Sequence, residues 1–140
     1  MITRPPCIFL VEDDADDRFI MQQAFAEVNF ADKVRMFPSS EFFLNTLITT
    51  SISNVLPTLF VLDFNMPAIN GGELLLKLKQ IDAVKEVPII LYSTGMRPIL
   101  KETLIPAGAL DCFEKCLDFK DLCKLAKTLR MIAEGHEVVY

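Results

Sequence analysis

Apolar and polar positions follow one another along this chain in two rhythms. Three blocks, Cys7-Ile8-Phe9-Leu10-Val11, Leu59-Phe60-Val61-Leu62 and Ile89-Ile90-Leu91-Tyr92, are apolar throughout. Such runs predict strands buried on both faces. Two mixed blocks, 33–37 and 110–114, predict half-exposed strands; in the first, Val34 and Met36 alternate with Lys33 and Arg35. Between the blocks the spacing becomes helical. Met21, Ala24, Phe25 and Val28 share one face, as do Leu44, Leu47 and Ile48, then Leu74, Leu75, Leu78 and Ile81. A short helix is expected from Pro98 to about Ile105. The last is capped by Asp118, carries Leu122, Leu125, Ala126, Leu129 and Ile132 inward, and ends at Gly135.

Strand and helix thus alternate five times, which requires a parallel sheet with helices on both faces. The apolar strands belong in the centre and the mixed ones, second and fifth in sequence, at the edges. The expected fold is α/β: a doubly wound five-stranded parallel sheet in the flavodoxin-like order 2-1-3-4-5. The whole of residues 1–140 reads as a single domain, with a C-terminal tail from about 134. Residues 49–56 read as a polar loop.

Composition removes several functional classes. Of 140 residues, 14 are Lys or Arg and 19 are Asp or Glu, a net charge of −5. A nucleic-acid interface built on a basic face is disfavoured. No apolar run is long enough to span a bilayer, and the N-terminus lacks a signal-peptide pattern, so a cytoplasmic location is expected. Cys7, Cys112, Cys116 and Cys123 match no zinc-ribbon spacing and are expected as reduced core thiols. The single His136 leaves little room for a His-based hydrolase.

Ligands of an open parallel sheet bind beyond the carboxyl ends of its strands. Those ends carry Glu12-Asp13-Asp14, Asp63-Phe64-Asn65, Ser93-Thr94-Gly95 and Lys115. Crowded carboxylates without His or Cys call for a hard cation, Mg2+ or Mn2+. A lysine and a serine on the same rim suit phosphate oxygens, and a carboxylate can act as the nucleophile that forms an acyl phosphate.

Val11-Glu12-Asp13-Asp14, Leu62 to Pro67, Asn70-Gly71, Val87 to Ile90, Ser93, Ala107-Gly108-Ala109 and Lys115 together resemble the receiver domain of two-component response regulators. The resemblance runs from about residue 6 to 133 and is to single-domain regulators of the chemotaxis or phytochrome-partner type. It implies a phosphoacceptor switch that catalyses only its own phosphotransfer and slow autodephosphorylation. Asp63 takes the phosphoacceptor position. Asp13 matches the direct metal ligand, Glu12 the acid that holds a metal-bound water, and Asn65 the residue whose backbone carbonyl ligates the metal. Ser93 and Lys115 match the hydroxyl and the lysine that meet the phosphoryl group. The implied partners are a sensor histidine kinase or phosphotransfer protein and a downstream protein. A homodimer through the face of the fourth helix, fifth strand and fifth helix is also implied. Cys112 stands where the family often has an aromatic switch residue, and Cys116 where a proline usually follows the lysine.

Two rivals use the same rim. A haloacid-dehalogenase-type phosphatase wants a second acid two residues after the nucleophile, where this chain has Asn65. A non-phosphorylated pseudo-receiver would not need the full set of acids, hydroxyl and lysine. Asp14 is expected as a helix N-cap, Asp16 and Asp17 as first-turn acids without chemistry, and Asn70-Gly71 as the source of a positive φ.

Overall fold

The computed structural model describes residues 5–49, 56–116 and 118–136. Its elements are β1 (Ile8–Val11), α1 (Ala15–Glu27), β2 (Val34–Phe37), α2 (Ser40–Thr49), β3 (Leu59–Asp63), α3 (Gly71–Lys79), β4 (Ile89–Ser93), α4 (Pro98–Ala107), β5 (Asp111–Glu114) and α5 (Phe119–Ala133). All strand pairs are parallel and the order is β2-β1-β3-β4-β5. The apolar strands are central and the mixed strands are the edges, as their patterns require. Most of the expected 49–56 loop and the end of the tail lie outside the described residues.

The sheet separates two cores. Phe9, Phe37, Phe43, Phe60, Leu62, Leu74, Leu75, Leu78, Leu91 and Leu104 fill the side covered by α2, α3 and α4. Ile8, Leu10, Met21, Phe25, Val61, Ile90, Tyr92, Leu125 and Leu129 fill the side covered by α1 and α5. Alternation along each strand sends neighbours to opposite sides. Each fully buried side chain of this size contributes about 1.5–3 kcal/mol.

Three local expectations change. Ile48 is 74% exposed, and Phe43 takes the inward place on α2, where its ring meets Phe37 and Phe60 edge-on. Leu47 is buried and Leu44 packs against the same core, so the inward stripe of α2 is Phe43, Leu44 and Leu47. α4 runs past the expected end at Ile105 to Ala107, with Pro106 inside its last turn and Gly108, with φ of 126°, as its C-cap. The loop before α3 takes its positive φ at Ala68, not at Gly71. Gly71 is needed for a different reason: a Cβ there would meet the Asp63 carbonyl at 2.6 Å and the Phe64 Cα at 2.8 Å. Asn70 caps α3 in a capping box with Glu73. This close packing presses the α3 start against the end of β3, the strand that carries Asp63.

Candidate functional site

Register brings the strand ends level. Asp63 pairs with Tyr92 between β3 and β4, and Ser93 with Glu114 between β4 and the edge strand β5. Glu12 follows β1 and Lys115 follows β5, so both reach the same rim. Asp14 caps α1 by accepting from the Asp17 N–H at 2.9 Å, which turns the chain sharply after Glu12 and Asp13. Negative charge at that helix start is favourable.

One carboxylate oxygen each from Glu12, Asp13 and Asp63 lie within 4.8 Å of one another. Glu12 is fully buried, Asp63 is 1% exposed, and Asp13 faces solvent. Lys115 supplies the compensating charge. Its Nζ is 2.9 Å from Glu12 Oε1, 3.1 Å from Asp17 Oδ2 and 3.3 Å from Asp63 Oδ2. The other half of the rim holds Asn65 and Ser93. The Asn65 backbone N–H donates to Asp63 Oδ1 at 3.1 Å, and its side-chain Nδ2 donates to Ser93 Oγ at 2.8 Å. Ser93 is buried, and its Oγ also accepts from the Gly95 N–H at 3.3 Å.

The charges are uneven. Burial and the neighbouring Glu12 push the Asp63 carboxyl up to about 8, against the pull of Lys115 and the Asn65 N–H. Burial alone would raise Glu12 as well, but its hydrogen-bonded neighbours Asp63, Tyr92, Lys115 and Asp14 hold it below the usual carboxylate value. Burial works against the Lys115 ammonium, yet Glu12, Asp63 and Asp17 outweigh it and hold the group above its ordinary value. Of the two buried acids, Asp63 is thus the more basic and Glu12 the more acidic. A donor set of three carboxylate oxygens with no nitrogen or sulfur fits a hard divalent cation. Such an ion would supply the positive charge that Lys115 alone cannot.

All six residues expected from the sequence meet on this rim. Three others join them. Tyr92 donates its hydroxyl to Glu12 Oε1 at 2.6 Å, and Lys115 Nζ lies 5.0 Å from the centre of its ring. Arg18 Nη1 donates to the Glu12 carbonyl at 2.7 Å. Asp17, expected to be a bystander, binds Lys115. A signal for Asp17 was present: it precedes Met21 by four residues and so shares the inward stripe of α1.

Comparison with known proteins agrees with this geometry. Residues 8–127 match the model of the response regulator receiver domain. The chain belongs to that family. A two-component response regulator of Arabidopsis thaliana, ARR17, is 35% identical over 78 residues, 55% of this chain and 51% of its own length. The rice regulator ORR6 (Oryza sativa subsp. japonica) is 24% identical over 123 residues, 88% of this chain and 70% of its own. Against the first few such relatives, the chain spans about half of their length. Among solved structures, the phosphorylated cyanobacterial phytochrome response regulator RcpA superposes with a TM-score of 0.80 at 22% identity, over 96% of this chain and 98% of its own. The Mn2+-bound response regulator Rcp1 superposes with a TM-score of 0.76 at 20% identity, over 97% and 99%. At these identities the structures establish the shared fold. This receiver domain departs from the pattern expected of its family at Cys112, which is buried against the α3 and α4 core with its thiol pushed up to about 11 by burial and Asp111. All four cysteines are free.

Proposed function

We propose that this receiver accepts a phosphoryl group on Asp63 in a Mg2+-dependent reaction and relays its arrival to a partner. The observation that carries this reading is the place of Asp63: a nearly inaccessible carboxylate at the end of a central strand, clustered with Glu12 and Asp13 and bonded to Lys115. Asp13 and Asp63, with the Asn65 carbonyl, would hold the cation directly, and Glu12 would act through a bound water. The cation neutralises the phosphoryl oxygens when bound. An Asp63 oxygen attacks phosphorus; an O–P bond forms as the N–P bond to a phosphohistidine breaks, and the imidazole leaves with the electron pair. Lys115 pairs with one phosphoryl oxygen and Ser93 donates to another.

The phosphodonor is a sensor histidine kinase or a phosphotransfer protein. Exposed Ile20 on α1 and Phe119 at the start of α5 line a cavity with Asp17 and Lys115 and support a docking surface there. Ile99, Ile105 and Leu110, exposed on α4 and before β5, support the α4-β5-α5 face as the surface for output or a homodimer. Residues 1–140 act as one receiver unit, with a C-terminal tail from about 134. No helix among the described residues is long and apolar enough to cross a membrane, and the unpaired thiols support a cytoplasmic setting. The protein is a switch rather than a turnover enzyme.

Incubation with acetyl phosphate and magnesium should add one phosphoryl group, read by intact-protein mass. Asp63→Asn should remove it. Labelling of that variant at the wild-type level overturns the assignment.

A further inference from the structure

We propose that Tyr92 is a positioning residue for this chemistry: its hydroxyl is the tether that keeps the Glu12 carboxylate in the acid cluster when Lys115 is drawn to an incoming phosphoryl group. The inference rests on the reading of Asp63 as the acceptor.

Tyr92 is the only tyrosine among the described residues, and it closes an otherwise aliphatic run in β4. Its ring is 3% exposed in the α1–α5 core. Phenylalanine would fill that space equally well, so packing does not call for the hydroxyl. A buried phenol needs a hydrogen-bond partner, and this one reaches across the sheet to a residue 80 positions away. At 2.6 Å the bond has the length of a donor meeting an ionised acceptor.

Beside its contact with Asp63, the Glu12 carboxylate has three bonds of unequal permanence. The Asp14 N–H holds Oε2 at 3.1 Å. Oε1 is shared by Tyr92 and Lys115. Lys115 already divides itself among three carboxylates. A phosphoryl group on Asp63 adds oxygens that compete for the same ammonium, so the Lys115 bond is the exchangeable one. The Tyr92 ring is locked by its neighbours and cannot follow. It therefore stays on Oε1 throughout the cycle. It also lets Lys115 leave Glu12 without stranding a buried carboxylate, which would carry a full desolvation penalty.

Without the hydroxyl, Glu12 should hold Lys115 more tightly and point less reliably into the cluster. Loss of a partner that orients a ligand set typically weakens metal binding by about tenfold or more. Tyr92→Phe should accordingly bind Mg2+ about tenfold more weakly by titration calorimetry and label correspondingly more slowly with acetyl phosphate. In a Glu12→Ala background the same substitution should change Mg2+ affinity less than twofold, because the tether has nothing left to position. Tyr92→Phe with wild-type Mg2+ affinity and labelling, with or without a lowered Tm, overturns the proposal. So does an undiminished Tyr92→Phe effect in the Glu12→Ala background.

A measurement on the wild-type chain avoids dependence on the variant's folding. The Tyr92 hydroxyl proton, protected and charge-bonded, should give a slowly exchanging downfield NMR resonance. It should persist after beryllofluoride and magnesium are added. Its loss on that addition refutes the tether. Loss of labelling in Asp63→Asn alongside these negative results leaves the acceptor assignment standing, so the two readings fail separately.

Discussion

On the α1 side of the rim, Lys115 reaches three carboxylates, Glu12 accepts from three side-chain and backbone donors, and Tyr92 braces both partners. On the α4 side, the Ser93 hydroxyl is held by the Asn65 amide and the Gly95 N–H alone, and a cavity of about 620 Å3 opens among Phe64, Asn65, Ser93, Gly95 and Leu100. The helix beyond it is loosely held. Its N-cap Arg97 makes no side-chain cap bond, Pro106 interrupts its last turn, and Leu104 is its one buried residue. Gly95 has no atom near the position of a side chain. One half is preorganised and the other is free to adjust. Electrostatic preorganisation suits the half that does the chemistry, and weak local packing suits the half that must respond.

The contrast can be broken from the rigid side first. Lys115→Met leaves three carboxylates without their shared cation. The metal-free protein should lose about 3 kcal/mol in urea unfolding, the scale for stripping one partner from a buried charge group, and part of that loss should return with magnesium. Equal urea midpoints for the variant and wild type would show that the acids are not held by the lysine.

Asp13→Ala removes the solvent-facing acid of the cluster. Magnesium at a hundred times its dissociation constant should stabilise the wild type by about 2.7 kcal/mol and the variant scarcely at all. A thermal shift of wild-type size in Asp13→Ala would place the cation elsewhere.

The raised Asp63 carboxyl makes a pH signature. The folded value of about 8 stands above the ordinary carboxylate value of 3.8. The folded state therefore binds this proton more tightly than the unfolded one. Its contribution is complete below about pH 4 and is lost as pH rises through 8, by at most about 1.4 kcal/mol per pH unit. Magnesium must displace the same proton, so the Tm gain from magnesium should widen between pH 6 and 8.5. A constant gain across that range would contradict the raised value.

The loose side should show the smallest energetic and the most local effects. Lys101 Nζ lies 3.1 Å from buried Asp111 Oδ1 and ties α4 to β5. Lys101→Met should cost about 1 kcal/mol, since the lysine is half exposed and water replaces part of the pairing. Ser93→Ala should leave phosphorylation nearly intact. It should blunt the change in hydrogen exchange that beryllofluoride produces across residues 93–105. Exchange changes confined to 110–114 would move the response to β5, where Cys112 offers no large ring to rearrange.

Much of this was legible without coordinates, for reasons that vary by element. Three wholly apolar blocks can only be central strands, so the order of the sheet followed from Ile8–Val11, Leu59–Leu62 and Ile89–Tyr92. The polar rim followed in turn, because strand ends in a parallel sheet share one edge, and the resemblance to receiver domains singled out six of its residues. Asp14 and Asp118 were readable as caps, since capping depends on the next three residues alone. Phase within a short helix was less secure: Leu44, Leu47 and Ile48 fit one face by spacing, and only contact with Phe37 and Phe60 puts Phe43 inward in place of Ile48.

The sequence by itself determined which chemistry stands at the rim: acids after β1 and β3, a hydroxyl after β4, a lysine after β5. Only the tertiary structure decided how those groups are bonded. Tyr92 reads as one more apolar strand residue until the sheet sets its hydroxyl against Glu12, and Asp17 reads as a helix-start acid until Lys115 arrives from 98 residues away. Gly71 reads as a flexible turn residue until the Asp63 carbonyl is seen to occupy the space of its missing side chain. Periodicity and capping act over a few residues, so a sequence displays them. Hydrogen bonds between strand ends depend on where the whole sheet places two distant atoms, to within a few tenths of an ångström.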